Sequence, residues 1–259
     1  MTFTFGIITT YGNENYLNKL IESIISLKIN NYEILIVGGS NNVLRIFPFS
    51  NIRHIPFNEN IKKNWISRKK NIIIDEAKFE NIVFLHDYIL LDKDWFIGFE
   101  KFGDNFIVCT NKIFNFDNSR FRDWTLSPNN YLKIDTILNK SLSYLLPYNE
   151  ESLSRYMYIS GAYWVAKKNF MTKNKLNENL TWGQGEDVDW SHMVRKNVKF
   201  KFNKHSIIYL QKQKDVYFSE ISFENLENFK NRGSLEKFFD RLLVPYRRYQ
   251  KKGKFFKYF

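Results

Sequence analysis

The sequence is nearly without cysteine. Cys109 stands alone, so the chain can close no internal disulfide and build no cysteine-cluster metal site. A reducing, cytoplasmic setting is the default for such a chain. Long apolar runs are missing too, and none approaches the roughly 18 residues of a membrane span. The opening MTFTFGIITTYG has neither a basic head nor a long apolar stretch, so it reads as a strand and not as a secretory leader. There is no internal repeat and no Gly/Ser linker. Acid is scarce: 27 Asp and Glu stand against 39 Lys and Arg in 259 residues, a net charge of +12. That excess points to an anionic partner. Part of it goes with a wealth of Lys, Asn, Ile, Phe and Tyr, the composition of an AT-rich genome. More than half sits in residues 241–259, where Arg241, Arg247, Arg248, Lys251, Lys252, Lys254 and Lys257 meet no acid.

What is present is enough to pack a core. Hydrophobic residues make up 44% and charged residues 25%, which excludes wholesale disorder. Residues 3–9 are β-rich. In 16–27, Leu17, Leu20, Ile21, Ile24 and Ile25 recur at helical spacing. The run EILIV at 33–37 is a short buried strand that ends at Gly38-Gly39-Ser40. Residues 64–78 predict a helix, and 82–85 another buried strand stopping at His86-Asp87. This alternation predicts an α/β architecture with a mostly parallel central sheet flanked by helices. Ligands bind such sheets at the carboxyl ends of strands, here Thr9-Thr10-Tyr11, Gly38-Gly39-Ser40 and His86-Asp87-Tyr88. Residues 106–110, 158–166, 198–202 and 206–210 read as later strands. Residues 111–130 read as a polar, aromatic loop containing Arg120-Phe121-Arg122-Asp123-Trp124. Leu235, Phe238, Phe239, Leu242 and Leu243 form a helical stripe closed by Pro245. The division that follows is a domain over 1–215 and a helical, basic-aromatic extension over 216–259.

Two glycine-rich stretches differ in weight. GGSNN lacks the G-x-G-x-x-G spacing of a dinucleotide loop. In WGQGEDVDW, Gly183 and Gly185 let the backbone turn tightly, and Glu186, Asp187 and Asp189 then open a helix whose dipole favours acid. An acidic helix start explains the carboxylates by itself. Two tryptophans and three acids within one short segment also suit a sugar site. His54 and His192 read as surface or packing residues.

In their order, FGIITTYGNENYLNKLIESI, YEILIVGGSNN, WISRKKN, FLHDYILLDKDWF, MYISGAYWVAKKNF and LNENLTWGQGEDVDWSHM resemble GT-A glycosyltransferases of the family-2 type with a galactosyltransferase C-terminal motif, W-G-x-G-E-D. The resemblance spans roughly residues 3–212. It implies a nucleotide-diphosphate sugar donor, most often UDP-linked, and a hexose or N-acetylhexosamine moved to a glycan or lipid-linked glycan hydroxyl. Bacterial capsule or lipooligosaccharide is the implied destination. Thr9, Thr10 and Tyr11 would line the donor pocket, Tyr11 stacking on the base. Gly38 and Gly39 stand where the family carries an acid, so that contact is lost. Lys70, followed by Asn71, would face the diphosphate. Asp87 matches the first acid of the metal-binding Asp-x-Asp, but Ile89 replaces the second. The late metal histidine falls near Leu210-Gln211, and His205 is the nearest one. Two options stay open: Mn or Mg held by Asp87 and His205, or cations that neutralise the diphosphate without metal. Asp187 would be the base of an inverting reaction, with Glu186 holding an acceptor hydroxyl. Trp182, Gly161, Ala162 and Arg122 would line the acceptor side. The basic tail suits an anionic membrane surface, hence a peripheral place at the inner face of the membrane. An idle nucleotide- or sugar-binding module of the same fold is the second reading. A polyanion binder is the third, although nothing in the first 200 residues supports nucleic-acid base readout.

Overall fold

The computed structural model describes residues 1–126, 144–215 and 218–231. The first strand, β1 (Phe3–Ile8), is followed by α1 (Glu14–Ser26) and β2 (Tyr32–Val37). A short α2 (Val43–Ile46) leads to β3 (Ile52–Ile55), α3 (Ile66–Glu76) and β4 (Asn81–His86). These four strands are parallel, in the order β3-β2-β1-β4. Apolar side chains leave β1 on both sides: Phe3, Phe5 and Ile7 enter one core layer, Ile8 the other. That is why the strands read as continuous apolar runs. Helix α1 presents Leu17, Leu20, Ile21 and Ile24 to the first layer. Helix α3 presents Ile73 and Ile74 to the second. Gly6 lets α3 settle onto the sheet, since a Cβ there would lie 2.2 Å from Ile73 Cγ2.

Beyond β4 the sheet becomes mixed. The chain continues through β5 (Ile89–Leu91), α4 (Trp95–Phe102) and β6 (Val108–Phe114). A small sheet, β8-β7-β9, joins β7 (Thr125–Leu126), β8 (Tyr144–Leu145) and β9 (Met157–Tyr158). Then come β10 (Tyr163–Lys167), α5 (Lys168–Lys173), α6 (Glu186–Val194), β11 (Phe200–Leu210) and α7 (Phe223–Lys230). The 8-stranded sheet has the order β3-β2-β1-β4-β10-β6-β11-β5, with β10 and β5 running against the others. The architecture is therefore the expected α/β one with a mostly parallel sheet.

Several local expectations are corrected. Residues 198–202 and 206–210 are parts of one strand, β11, interrupted by a register shift between Asn203 and Ile207 where it pairs with β6. Before the shift Phe200 and Phe202 pack in the second layer; after it Ile208 and Leu210 pack in the first. The stretch 158–166 is divided, because a turn over 159–162 separates β9 from β10. The polar loop begins later than expected, since β6 runs on to Phe114. Strands β3 and β5 and helix α4 are additional. The stripe at 235–243 and the basic tail lie outside the described residues. Among the described residues no helix is long and apolar enough to cross a membrane.

Candidate active site

The carboxyl ends of β1, β2 and β4 meet where the parallel half of the sheet stops. Gly38 and Gly39 have φ values of 92° and 67°, a left-handed geometry that favours glycine. Gly38 is also closely surrounded: a Cβ would come 2.5 Å from the Thr9 carbonyl oxygen and 2.9 Å from Lys69 Nζ. A groove lined by Thr9, Thr10, Gly39, Ser40 and Asn42 opens beside it. Tyr11 stands in the turn after β1 with 68% of its surface exposed.

Asp87 follows β4 directly. Its Oδ2 accepts hydrogen bonds from Thr9 Oγ1 at 2.7 Å and Asn13 Nδ2 at 2.9 Å. Burial raises its pKa, and those two bonds together with the charges of Lys212 and Lys69 oppose the rise. The sequence reading missed Asn13, a helix-flanking residue whose long-range partner has no local signature.

The two adjacent lysines of α3 diverge. Lys69 Nζ donates to the Thr9 carbonyl at 2.7 Å and pairs with Glu59, under the Gly38 turn. Lys70, expected to face the diphosphate, is instead buried: Nζ donates to the Gly161 carbonyl at 3.0 Å and to Glu186 Oε1 at 3.2 Å, over the Trp164 ring. The Glu186 pKa is raised by burial first and by its neighbour Asp187 second, with Lys70 opposing both.

Gly161 and Ala162 form a joint between the two sides. The Gly161 N–H donates to Asp187 Oδ2 at 2.7 Å, and the Ala162 carbonyl accepts from the His86 N–H at 3.2 Å. A Cβ on Gly161 would lie 2.9 Å from Glu186 Oε1 and 3.0 Å from Asp187 Oδ2. Asp187 itself is only half-buried, unlike Glu186. Trp182, 61% exposed, stands on the loop leading to α6, its N–H bonded to the Asn64 carbonyl.

Tyr88 is the meeting point. Its pKa is raised by burial and then by Asp87, Glu186 and Asp187, while Arg122 lowers it. Arg122 also lies over the Phe218 ring, and it opposes the rise that burial and Asp187 impose on the Tyr158 pKa. Its neighbours in the loop are structural: Arg120 and Tyr148 both bond the buried Asp123 carboxylate. Two cations that sequence reasoning missed stand over Tyr88. Lys214 Nζ lies 3.9 Å from the ring centre and donates to the hydroxyl at 2.6 Å, and Lys212 Nζ lies 4.4 Å from the ring centre. Burial, Lys212 and Arg122 bring the Lys214 pKa down to about 8. Burial, and then the charges of Lys70, Lys214, Lys212 and Lys69, push the His86 imidazole pKa well below its ordinary value. An alternating Lys-Gln-Lys segment just after a strand is the signal that could have marked this pair.

The residues do not fit the expected divalent ion. A hard cation needs several oxygen ligands, yet Ile89 is buried in the core. Gln211 directs its Nε2 to the carbonyls of Tyr16, Asp87 and Ile89. His205 belongs elsewhere: it lies exposed in the register shift of β11, its backbone against Gly98 of α4, well before the strand end that meets Asp87. No group of three or more His, Cys, Asp or Glu gathers among the described residues.

No protein-family model matches the sequence, and no curated protein matches it. Solved structures do resemble the fold. S. aureus TarS 1–349 in complex with UDP-GlcNAc is similar with a TM-score of 0.55 at 15% identity, covering 84% of this chain and 60% of that one. GalNAc-T7 with UDP, GalNAc and Mn2+ is similar with a TM-score of 0.56 at 12% identity, covering 84% of this chain and 46% of that one. The fold is GT-A. The chain thus spans less than two thirds of either neighbour. Thr9, Gly38 and Asp87 thus lie at the carboxyl edge of the parallel strands, where open α/β sheets generally take ligands, and Gly161 links Glu186 and Asp187 of α6 to that side.

Proposed function

We propose that the protein is an inverting glycosyltransferase that moves a hexose or N-acetylhexosamine from a nucleotide-diphosphate sugar to a glycan hydroxyl. The observation carrying this reading is Asp187: half-buried, fixed by the Gly161 N–H, and within electrostatic range of the same Tyr88 that follows Asp87. UDP is the donor nucleotide of choice because both similar structures contain it. Its base and ribose would occupy the groove at Thr9, Thr10, Gly39 and Ser40, with Tyr11 free to stack. Trp182 offers an apolar face to an acceptor sugar. Surface glycans such as capsule or lipooligosaccharide, and a peripheral place at the cytoplasmic membrane face, are the setting the sequence resemblance suggests.

The reaction is a displacement. The acceptor oxygen forms a bond to the anomeric carbon with its lone pair, and its proton passes to an Asp187 carboxylate oxygen. The bond from the anomeric carbon to the diphosphate breaks, and its electron pair leaves on the diphosphate. The base needs reach and an open face, which favours Asp187 over Glu186, whose carboxylate is committed to Lys70. Glu186 then ties the start of α6 to Lys70. Nucleotide release from UDP-sugars, followed with wild type and Asp187→Asn, tests the reading. Loss of turnover with retained UDP binding supports it; unchanged turnover removes Asp187.

The second reading, an idle binding module of the same fold, is favoured by Ile89 at the second Asp-x-Asp position and by the acid lost at Gly38. It predicts UDP binding with no turnover on any sugar nucleotide.

A further inference from the structure

The segment after β11 is strapped down by backbone and amide contacts. The Gln211 N–H donates to the Tyr88 carbonyl at 2.8 Å, and its side-chain amide bonds the carbonyls of Asp87 and Ile89. Gln213 Nε2 donates to Asp117 at 3.0 Å. The fully buried Asn115 clasps Lys214 at both backbone atoms, accepting from its N–H and donating to its carbonyl, each at 3.0 Å. Gln211 thereby turns to the protein, Gln213 lies along the surface on Asp117, and Lys212 and Lys214 come together over Tyr88. Among the described residues neither lysine forms an ion pair with a carboxylate. Both charges act on His86, and Lys212 acts on Asp87.

We propose that Lys212 and Lys214 form a metal-free cationic seat for the donor's diphosphate. The inference rests on the nucleotide-sugar reading above. It places two positive charges beside Asp87, where a single carboxylate offers a hard cation few oxygen ligands. The electron pair released when the anomeric C–O bond breaks resides on diphosphate oxygens, and preorganised cations stabilise that charge without reorganising. The Asn115 clasp and the Tyr88 hydroxyl supply the preorganisation. Lys212 is the exposed, entering cation, and Lys214 the half-buried one held in place.

The test is calorimetric binding of UDP and of UMP to the full chain, in EDTA and in Mn2+. Variants are Lys212→Ala, Lys214→Gln, the double variant, and Lys175→Ala as a surface-charge control. Expected are UDP affinities equal within about twofold in EDTA and Mn2+. The double variant should lose about tenfold or more, as charge-assisted contacts to phosphate require. UMP, lacking the β-phosphate, should lose far less. Lys212→Ala alters an exposed side chain and keeps the test valid if Lys214→Gln fails to fold. UDP binding that needs Mn2+ and tolerates the double variant would overturn the metal-free seat while leaving the donor reading intact. Absence of binding by UDP and by GDP, with and without Mn2+, would overturn the donor reading and the seat with it.

Discussion

Two regions of this molecule hold lysines in opposite ways. On α3, Lys69 and Lys70 are each about 1% exposed and each meet a carboxylate, Glu59 and Glu186. After β11, Lys212 and Lys214 rest on an aromatic face with no acid in ion-pair contact among the described residues. The first pair is neutralised within the fold; the second leaves its field directed at whatever enters. The same division separates the adjacent carboxylates, since Glu186 is buried against Lys70 and Asp187 is half-open. Ionisable residues are therefore told apart by their partners, not by their position in a motif.

The comparison can be broken most sharply at the carboxylates. Asp187→Asn should lower sugar transfer by about 10²–10⁴-fold, the usual weight of a general base, and leave UDP affinity within about twofold. Steady-state nucleotide release and calorimetry measure the two. A loss of UDP binding equal to the loss of turnover would place Asp187 on the donor side.

Next in size is the buried pair. Lys70→Met should reduce unfolding free energy by about 3–5 kcal/mol, because Glu186 is left buried without its cation. Chemical denaturation at two pH values sharpens this. Glu186 can relieve the loss by binding a proton in the folded state, so the deficit should shrink as pH falls. A deficit independent of pH would mean that packing on Trp164, not charge, is what Lys70 contributes.

A smaller effect should follow Lys214. Its folded pKa, about 8, lies below the ordinary 10.5, under the influence of burial, Lys212 and Arg122 against Asp87 and Asp187. Between those values the folded protein binds fewer protons than the unfolded chain, so this group makes stability rise with pH there. Diphosphate affinity should move the other way, weakening as pH rises through about 8. Thermal melts and UDP titrations between pH 7 and 9.5 separate the two slopes, and parallel slopes would count against the assignment.

The smallest effect is the surface pair Lys175–Asp75, 40% and 44% exposed at the side chain. Lys175→Ala should change stability by no more than about 1 kcal/mol, as measured by chemical denaturation. A larger loss would blur the contrast between paired and unpaired lysines.

The parallel half of the fold was legible because its strands are buried on both faces. Phe3, Phe5, Ile7 and the EILIV run carry that burial openly in the sequence. Helix α1 was legible from the spacing of Leu17, Leu20, Ile21 and Ile24. Strands β3 and β5 are short, and β5 takes its pairing from the distant β11, which no local pattern encodes. In the site, the strand ends at Thr9, Gly38 and Asp87 could be located from where apolar runs stop. The directions of Lys69 and Lys70 could not, since neighbours on a helix point about 100° apart and only the rotation of α3 decides which meets Gly161. Lys212 and Lys214 were hidden because their role depends on Asn115, Gln211 and Tyr88, brought in from other parts of the chain.

The register shift in β11 has a consequence for how this chain tolerates insertions and deletions. Asn203 pairs with Asn111, yet Ile207 pairs with the very next residue, Lys112. The surplus is an odd number of residues, so the pleat changes phase across it. Even-numbered residues face one layer at Phe200 and Phe202 and the opposite layer at Ile208 and Leu210. Lys212 and Lys214 follow the end of this strand and reach Tyr88, which belongs to the later layer. Deleting one residue within 204–206 would restore an even count and turn the following side chains over. Parity is thus a constraint on this segment besides the buried Ser206 hydroxyl, which bonds the Trp95 carbonyl.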